Sequence, residues 1–199
     1  FEFGFQVIPQ SLDVLTDGFR TYETGNLRNQ RYLGTLNTAD VADNEAVEKV
    51  LKANQEGRNL RISWTHETDR KTHYFQVDSI QRKETASAFV LEWDGTSIGS
   101  ETKGNNKIDI PKLGDFVLLE ARAVQGDEQY AELQFSDPLL EGQDLTGLME
   151  IKDVPDCRIV TDQNVVKIYP PIRQTGSKEV VIRAGVRNIK GKALGADIN

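Results

Sequence analysis

Apolar and polar residues alternate with period two along most of this chain, the signature of strands that bury one face. Phe1, Phe3, Phe5 and Val7 alternate through Phe1–Ile8, which predicts a strand ended by Pro9. Leu12–Phe19 and Arg31–Thr38 repeat the pattern weakly, with Gly18 and Gly25 as punctuation, and Leu60–Trp64, His73–Ile80 and Ala88–Trp93 repeat it more clearly. Asp94-Gly95 reads as a turn, and the polar, Gly- and Asn-rich stretch Gly99–Lys107 reads as a hairpin loop. One segment breaks the period. From Asp43 to Asn54, with its end near residue 55, Val47, Val50 and Leu51 fall on one helical face, while Glu45/Lys49 and Glu48/Lys52 form i,i+4 pairs. Asp43 is the expected helix cap and Gly57 follows the end, so a short amphipathic helix inserted into a β-module is predicted.

Beyond Pro111–Gly114 the alternation resumes over Phe116–Val124, Tyr130–Phe135, Leu148–Ile151, Cys157–Thr161, Val165–Tyr169 and Val180–Ala184. Short strands at this spacing, broken by Gly, Asp, Asn and Pro, are those of an immunoglobulin-like sandwich. No Cys…Trp…Cys pattern is present, so an antibody-type domain is excluded. The predicted fold is all-β with one short helix, in two tandem β-sandwich modules: residues 1–112 with the helix, and residues 113–199, immunoglobulin-like. The length of 199 residues suits this count, since one small sandwich takes roughly 100.

Charge and cysteine content narrow the function. A net charge of −7, with Lys and Arg scattered, argues against a nucleic-acid partner. No apolar run approaches the roughly 20 residues that cross a bilayer, so direct membrane insertion is not expected. The single Cys157 cannot form an intrachain disulfide, which removes the disulfide-stapled class without excluding a bacterial periplasm. The chain opens on Phe1-Glu2-Phe3 without an initiator Met or export signal, as a piece of a longer protein would.

Candidate chemistry is sparse. His66 and His73 lie seven apart beside Glu67 and Asp69, but their spacing fits no helical zinc motif and too few histidines are present for a typical site; an exposed hairpin is expected instead. Ser136 lacks the Gly-x-Ser-x-Gly elbow of a nucleophile, and Cys157, at the start of a β-run, reads as a strand-core residue. Asp40, Asp43, Asn44 and Glu45 miss calcium-loop spacing, leaving an interdomain site from Asp137 and Asp144 as the calcium alternative. Gly185–Lys192 follows a strand without opening a helix, so a turn at Gly191 replaces any phosphate reading. No catalytic, metal or cofactor site is assigned.

Structural residues are assigned instead. In the turn Ser136-Asp137-Pro138, Pro138 removes a ladder donor while Ser136 and Asp137 are expected to satisfy loose backbone amides; Asp144 and Gly147 shape the next turn. Phe135-Ser136-Asp137-Pro138-Leu139, then Gln143-Asp144-Leu145-Thr146-Gly147-Leu148, Val166-Lys167-Ile168-Tyr169-Pro170 and Ala184-Gly185-Val186-Arg187-Asn188 resemble a bacterial Ig-like module. With Phe5–Gln10 and Gly34–Asp43 upstream, the order resembles the N-terminal region of bacterial alpha-2-macroglobulin family proteins, particularly large Bacteroidetes-type versions.

That resemblance implies an exported, cell-envelope protease trap, commonly lipid-anchored, in which a cut bait segment triggers collapse around the protease. It implies partners in the other domains of the same parent chain and, through the full-length protein, proteases or envelope proteins. Cys157 is followed by Arg158-Ile159-Val160 rather than the family's Cys-x-Glu-Gln thioester, and no bait region is recognisable, so trapping is not assigned to these modules. The expected role is non-catalytic and structural. Two rivals remain: an adhesion or carbohydrate-binding module using Trp64, Trp93, Tyr74 or Tyr22 as a stacking platform, and a hydrolase built on His66 and His73.

Overall fold

The computed structural model describes Gly4 and residues 9–199; apart from Gly4, the strand expected over Phe1–Ile8 lies outside the described residues. The described chain is almost entirely antiparallel β-structure with one short α-helix, in two compact units. The first contains β1 (Leu12–Thr21) up to Phe19, β2 (Asn29–Thr38), α1 (Asn44–Val47), β3 (Leu51–Gln55), β4 (Arg58–Asn59), β5 (Ile62–His66), β6 (Thr72–Gln81), β7 (Ser87–Asp94) and β8 (Lys103–Ile110). Its two four-stranded sheets run β1-β2-β6-β5 and β4-β3-β7-β8. Phe19 and Tyr32 from one sheet meet Phe89 of the other, with ring centroids 4.9 to 5.7 Å apart, and Leu36, Val77 and Leu91 are wholly buried with them. Offset and edge-on rings of this kind add to the burial of apolar area.

Two expectations fail here. The helix predicted over Asp43–Asn54 is a single turn, Asn44–Val47, and the chain becomes strand β3 by Leu51. Leu51, Ala53 and Gln55 are buried while Lys52 is exposed, and β3 pairs Leu51–Gln55 with Trp93–Phe89 of β7. A helix carried through Asn54 would leave that edge of the central strand β7 without backbone partners, so the ladder overrides helix propensity. The polar stretch expected to be a loop is likewise mostly strand: β8 pairs Lys103–Ile110 with β7, and the turn is the short 3-10 helix Gly95–Ile98. Gly104 lies opposite Trp93, where an added Cβ would come within 2.6 Å of the indole; the glycine leaves room for a half-buried ring.

The second unit consists of Pro111–Asn199 together with Arg20–Arg28 and Arg82–Ala86, two segments that sequence order alone places in the first module. Its strands are β9 (Leu118–Gln125), β10 (Gln129–Phe135), β11 (Met149–Ile151), β12 (Arg158–Asp162), β13 (Val165–Tyr169) and β14 (Val180–Ile182). The sheet β12-β13-β10-β9 faces the two-stranded sheet β11-β14 in a β-sandwich. Phe116, Leu133, Phe135, Val166 and Ile168 pack there against Met149, Ile151 and Ile182. Segment 82–86 is stitched in by Arg82 N–H to the Arg28 carbonyl (2.8 Å) and Leu113 N–H to the Lys83 carbonyl (2.6 Å).

The tightest packing test is Gly34 in β2. A Cβ there would lie 2.4 Å from Phe75 Cζ and 2.5 Å from the Leu15 carbonyl oxygen. Gly34→Ala is expected to destabilise by about 1–3 kcal/mol, because an overpacked core must shift. Gly25→Ala, with nothing within 4 Å of the new Cβ, should stay within about 0.5 kcal/mol of the parent. Urea unfolding of the two variants checks both values.

Candidate functional site

The polar centre of the second unit is built where β10 ends. Its last residue, Phe135, exchanges hydrogen bonds with Asn164: Phe135 N–H donates to the Asn164 carbonyl, and Asn164 Nδ2 donates to the Phe135 carbonyl, both at 2.8 Å. Ser136 then crosses to the segment before β9. Its N–H donates to the Val117 carbonyl (2.9 Å), its Oγ accepts from Val117 N–H (3.1 Å), and its hydroxyl donates to the Asp115 carbonyl (3.1 Å). Pro138 lacks a donor, but its carbonyl accepts from Ile189 N–H at 2.8 Å.

Asp137 corrects the reading from sequence. Its side chain is fully buried and serves no backbone amide: Oδ1 receives Arg82 Nη1, and Oδ2 accepts from Asn188 Nδ2 at 2.6 Å. A carboxylate in such a place needs a charge and donors of its own, and the turn supplies both. Arg82, also wholly buried, places all five of its N–H donors. Nε reaches the Pro111 carbonyl (3.3 Å), Nη1 the Ser136 carbonyl (3.3 Å) and Asp137, and Nη2 the carbonyls of Lys112 (2.9 Å) and Asp115 (2.6 Å). Asn188 extends the network, its Oδ1 accepting from Lys190 N–H (3.0 Å) and Lys192 N–H (2.9 Å).

Sequence reasoning missed Arg82, because the alternation in β6 buries His73, Phe75 and Val77 and then shifts to Ile80 at a register irregularity, so counting by twos from His73 puts residue 82 on the outward side. Its setting in Gln81-Arg82-Lys83-Glu84 also looks like an ordinary solvated connection.

Asp144 and Gly147 form the neighbouring turn. Asp144 Oδ1 accepts from Thr146 N–H at 2.9 Å, and that bond holds its carboxyl below the usual carboxylate range. Gly147 adopts φ +73°, a left-handed conformation natural to glycine, and the chain enters β11 two residues later. Gln143 ties this turn to the loop after β14, accepting from Arg187 N–H and donating to the Gly185 carbonyl, each at 3.0 Å. Both Asp137 oxygens are committed, so the Asp137–Asp144 calcium alternative lacks its first ligand. Among the described residues, no cluster of three or more His, Cys, Asp or Glu could hold a metal.

The Asp43 expectation also changes. Asp43 occupies the cap position of α1, but its carboxylate makes no capping bond and lies 3.8 Å from Arg70. Its backbone carbonyl takes the first helical amides instead, Ala46 N–H at 3.1 Å and Val47 N–H at 2.9 Å. Cys157 is half-buried against the core, with Sγ 3.3 Å from the Val154 carbonyl, and burial pushes its thiol up, away from the reactive thiolate.

The hairpin expected around the histidines is present with an exposed turn, but the histidines themselves are not exposed. His66 and His73 are cross-strand partners of β5 and β6, their Nδ1 atoms 2.8 Å apart, so one proton serves both. His73 is fully buried and its Nε2 has no hydrogen-bond partner, whereas His66 Nε2 lies 3.3 Å from Glu48 and its ring stacks on Trp64 at 5.9 Å. Ser136 and Cys157 belong to the second unit, where the Ser136 hydroxyl is occupied by backbone and the Cys157 thiol lies against the core. Trp64 and Trp93 are half-buried, one leaning on Phe75 and the other covering Gly104; Tyr74 and Tyr22 are exposed.

No protein-family model matches the chain, and no curated protein matches it significantly.

Removing Asp137 leaves a buried, uncompensated guanidinium, so Asp137→Ala is expected to cost about 3–5 kcal/mol. Pro138→Ala keeps the carbonyl acceptor and should cost under about 1 kcal/mol. The pair Arg82→Met with Asp137→Leu should recover much of the Asp137→Ala loss, because it removes both charges together. Equal urea midpoints for Asp137→Ala and the parent would refute this ranking.

A second prediction concerns pH. Burial, then the neighbouring His66, holds His73 below its ordinary value of 6.5, with Asp69 opposing. The unfolded state therefore takes up a proton that the folded state refuses as pH falls below about 6.5, and stability falls with it. His73→Gln is expected to flatten the decline in melting temperature between about pH 6.5 and 5.5. An unchanged slope in the variant would assign the decline to other groups.

Proposed function

We propose that this chain forms non-catalytic structural and interaction modules from the N-terminal region of a bacterial alpha-2-macroglobulin-like protease inhibitor. On this reading the parent is exported to the cell envelope, where these modules position the trap or contact its other domains, and the bait and any thioester lie elsewhere. The observation that carries it is the Phe135–Leu139 turn. The residues bearing the family likeness, Ser136, Asp137, Pro138 and Asn188, have their polar groups spent on fixing the turn rather than presented to a substrate. A site built for chemistry keeps a nucleophile, base or electrophile open to the reacting group. The half-buried setting of both tryptophans favours this reading over a stacking platform for sugars.

Two protease assays test it. Incubated with trypsin- or elastase-type proteases, the 199-residue chain is expected to leave cleavage of a large protein substrate and of a small chromogenic peptide unchanged. The full-length parent is expected to protect the large substrate while the small peptide is still cleaved, as steric trapping requires. Direct inhibition by the 199-residue chain, or a parent that protects neither substrate, overturns the proposal.

A further inference from the structure

Strand β8 ends its sheet: in the order β4-β3-β7-β8 it has β7 on one side and, among the described residues, no strand on the other. The bonds made by β7 show which backbone groups of β8 are unspent. Asp94 N–H donates to the Val50 carbonyl (2.9 Å) and Glu56 N–H to the Ala88 carbonyl (3.3 Å), so even-numbered residues of β7 bond towards β3. Gly95 N–H donates to the Thr102 carbonyl (2.9 Å), so odd-numbered residues bond towards β8. Bonded positions alternate along an antiparallel ladder. With Trp93 opposite Gly104, Leu91 opposite Asn106 and Phe89 opposite Ile108, the groups left pointing outward are those of Lys103, Asn105, Lys107 and Asp109. Among the described residues, no backbone hydrogen bond reaches these four.

Natural sheet edges are commonly protected by charge, and β8 carries two lysines and an aspartate whose side chains are exposed at these same positions. For one partner the protection becomes a match. If β8 meets β8 of a second copy about a two-fold axis at Asn106, Lys103 lies opposite Asp109 of the second copy and Asn105 opposite its Lys107, on both sides of the axis. Opposite charges directly across a pair attract, and like charges repel. An axis at Asn105 would instead set Lys103 against Lys107 and Glu101 against Asp109. An axis at Lys107 would bring the two Lys107 side chains together and place Pro111, which has no N–H, opposite Lys103.

The other face of the strand favours the same register. There Ile108 of the second copy lies opposite Gly104, beside the Trp93 indole that occupies the space a side chain at 104 would take. Trp93 and Ile108 are both half-buried, so each gains cover. We infer that the β8 edge is a self-docking surface that joins two copies of this chain into one antiparallel sheet, with Asn106 on the axis. One pair of strands buries less area than a stable dimer needs, so the association is weak and reversible.

Sedimentation over a series of concentrations tests the surface. The parent chain is expected to dimerise reversibly at high concentration. Asp109→Lys and Lys103→Asp each set like charges on both sides of the axis, and each should weaken association by about tenfold. Mixed in equal amounts, the two variants should associate as the parent does, because their edges then carry opposite charges. Both positions are exposed, and unchanged melting curves verify that the variants fold. The register is read by crosslinking in a Cys157→Ser background. Asn106→Cys should give a disulfide dimer on mild oxidation, since non-hydrogen-bonded partners have Cα atoms roughly 4.5 Å apart, and Asn105→Cys should crosslink far more slowly. A parent that stays monomeric at every concentration, association that survives both single variants, a mixture that does not recover it, or equal crosslinking from positions 105 and 106 overturns the inference.

Discussion

A guanidinium denied water must find five acceptors, and the second unit is organised around meeting that demand for Arg82. Its partners are one carboxylate and the carbonyls of Pro111, Lys112, Asp115 and Ser136, drawn from the segment before β9 and the end of β10. Those carbonyls lie outside the strands; that of Lys112 also accepts from Asp115 N–H and that of Asp115 from the Ser136 hydroxyl. Asp137 neutralises the charge from 55 residues away, and Asn188 holds the second carboxylate oxygen while its own amide oxygen gathers the Lys190 and Lys192 amides. Each group satisfies another's requirement, so the network tolerates the loss of no single member. Apolar residues of similar volume could give comparable stability, because desolvation consumes most of the Coulombic gain. The consequence of using charge is geometric: segments 82–86, 111–115, 136–138 and 188–192 are tied to one another through these directional bonds.

This dependence explains what was legible in the sequence. Period-two alternation announced β7, β10 and β13 through the pairs Phe89 and Leu91, Leu133 and Phe135, and Val166 and Ile168, each buried two residues apart. The same logic placed the end of β10 at Phe135, before a proline that cannot donate to a ladder. It failed where one residue set served two periods. Val47, Val50 and Leu51 fit a helical face, yet Leu51, Ala53 and Gln55 also fit a strand, and only the unpaired edge of β7 decides between them. Polar β8 was hidden for the opposite reason: its Gly104 and Asn106 make no hydrophobic signal, because Trp93 supplies the apolar mass from the neighbouring strand. Asp137 was recognised as structural but given the wrong partners. A local rule assigns a turn aspartate to nearby amides, whereas the actual partners, Arg82 and Asn188, lie more than 50 residues away on either side.

The histidine pair shows the same blindness in miniature. Seven residues apart, His66 and His73 looked like the polar shoulders of a hairpin turn, and they are indeed cross-strand partners. Pairing brings their rings to one face with the Nδ1 atoms 2.8 Å apart, and burial, then the neighbouring His66, disfavours the charged form of His73. The pair thus acts as a packing element whose stability depends on proton supply. Nothing in the spacing alone distinguishes that from an exposed turn.

The two faces of the sheet β12-β13-β10-β9 differ in how they are finished. On the outer face, Glu132 is held by Arg122 (Nε at 2.9 Å) and Lys167 (3.8 Å); Lys167 also lies 4.8 Å from the Tyr130 ring, Tyr130 meets Tyr169 at 5.0 Å, and Arg158 covers Tyr169 at 4.0 Å. Cross-strand contacts of this sort cover a sheet with its own side chains. The inner face of β9 carries alanines, too short to fill the space before them, beside an edge whose ladder has begun with Ile198. Small residues on the outer face would merely be solvated. On the inner face they leave a groove lined by Val180, Ile182 and Ile198, so one sheet is finished by charged and aromatic side chains outside and left partly unfilled inside.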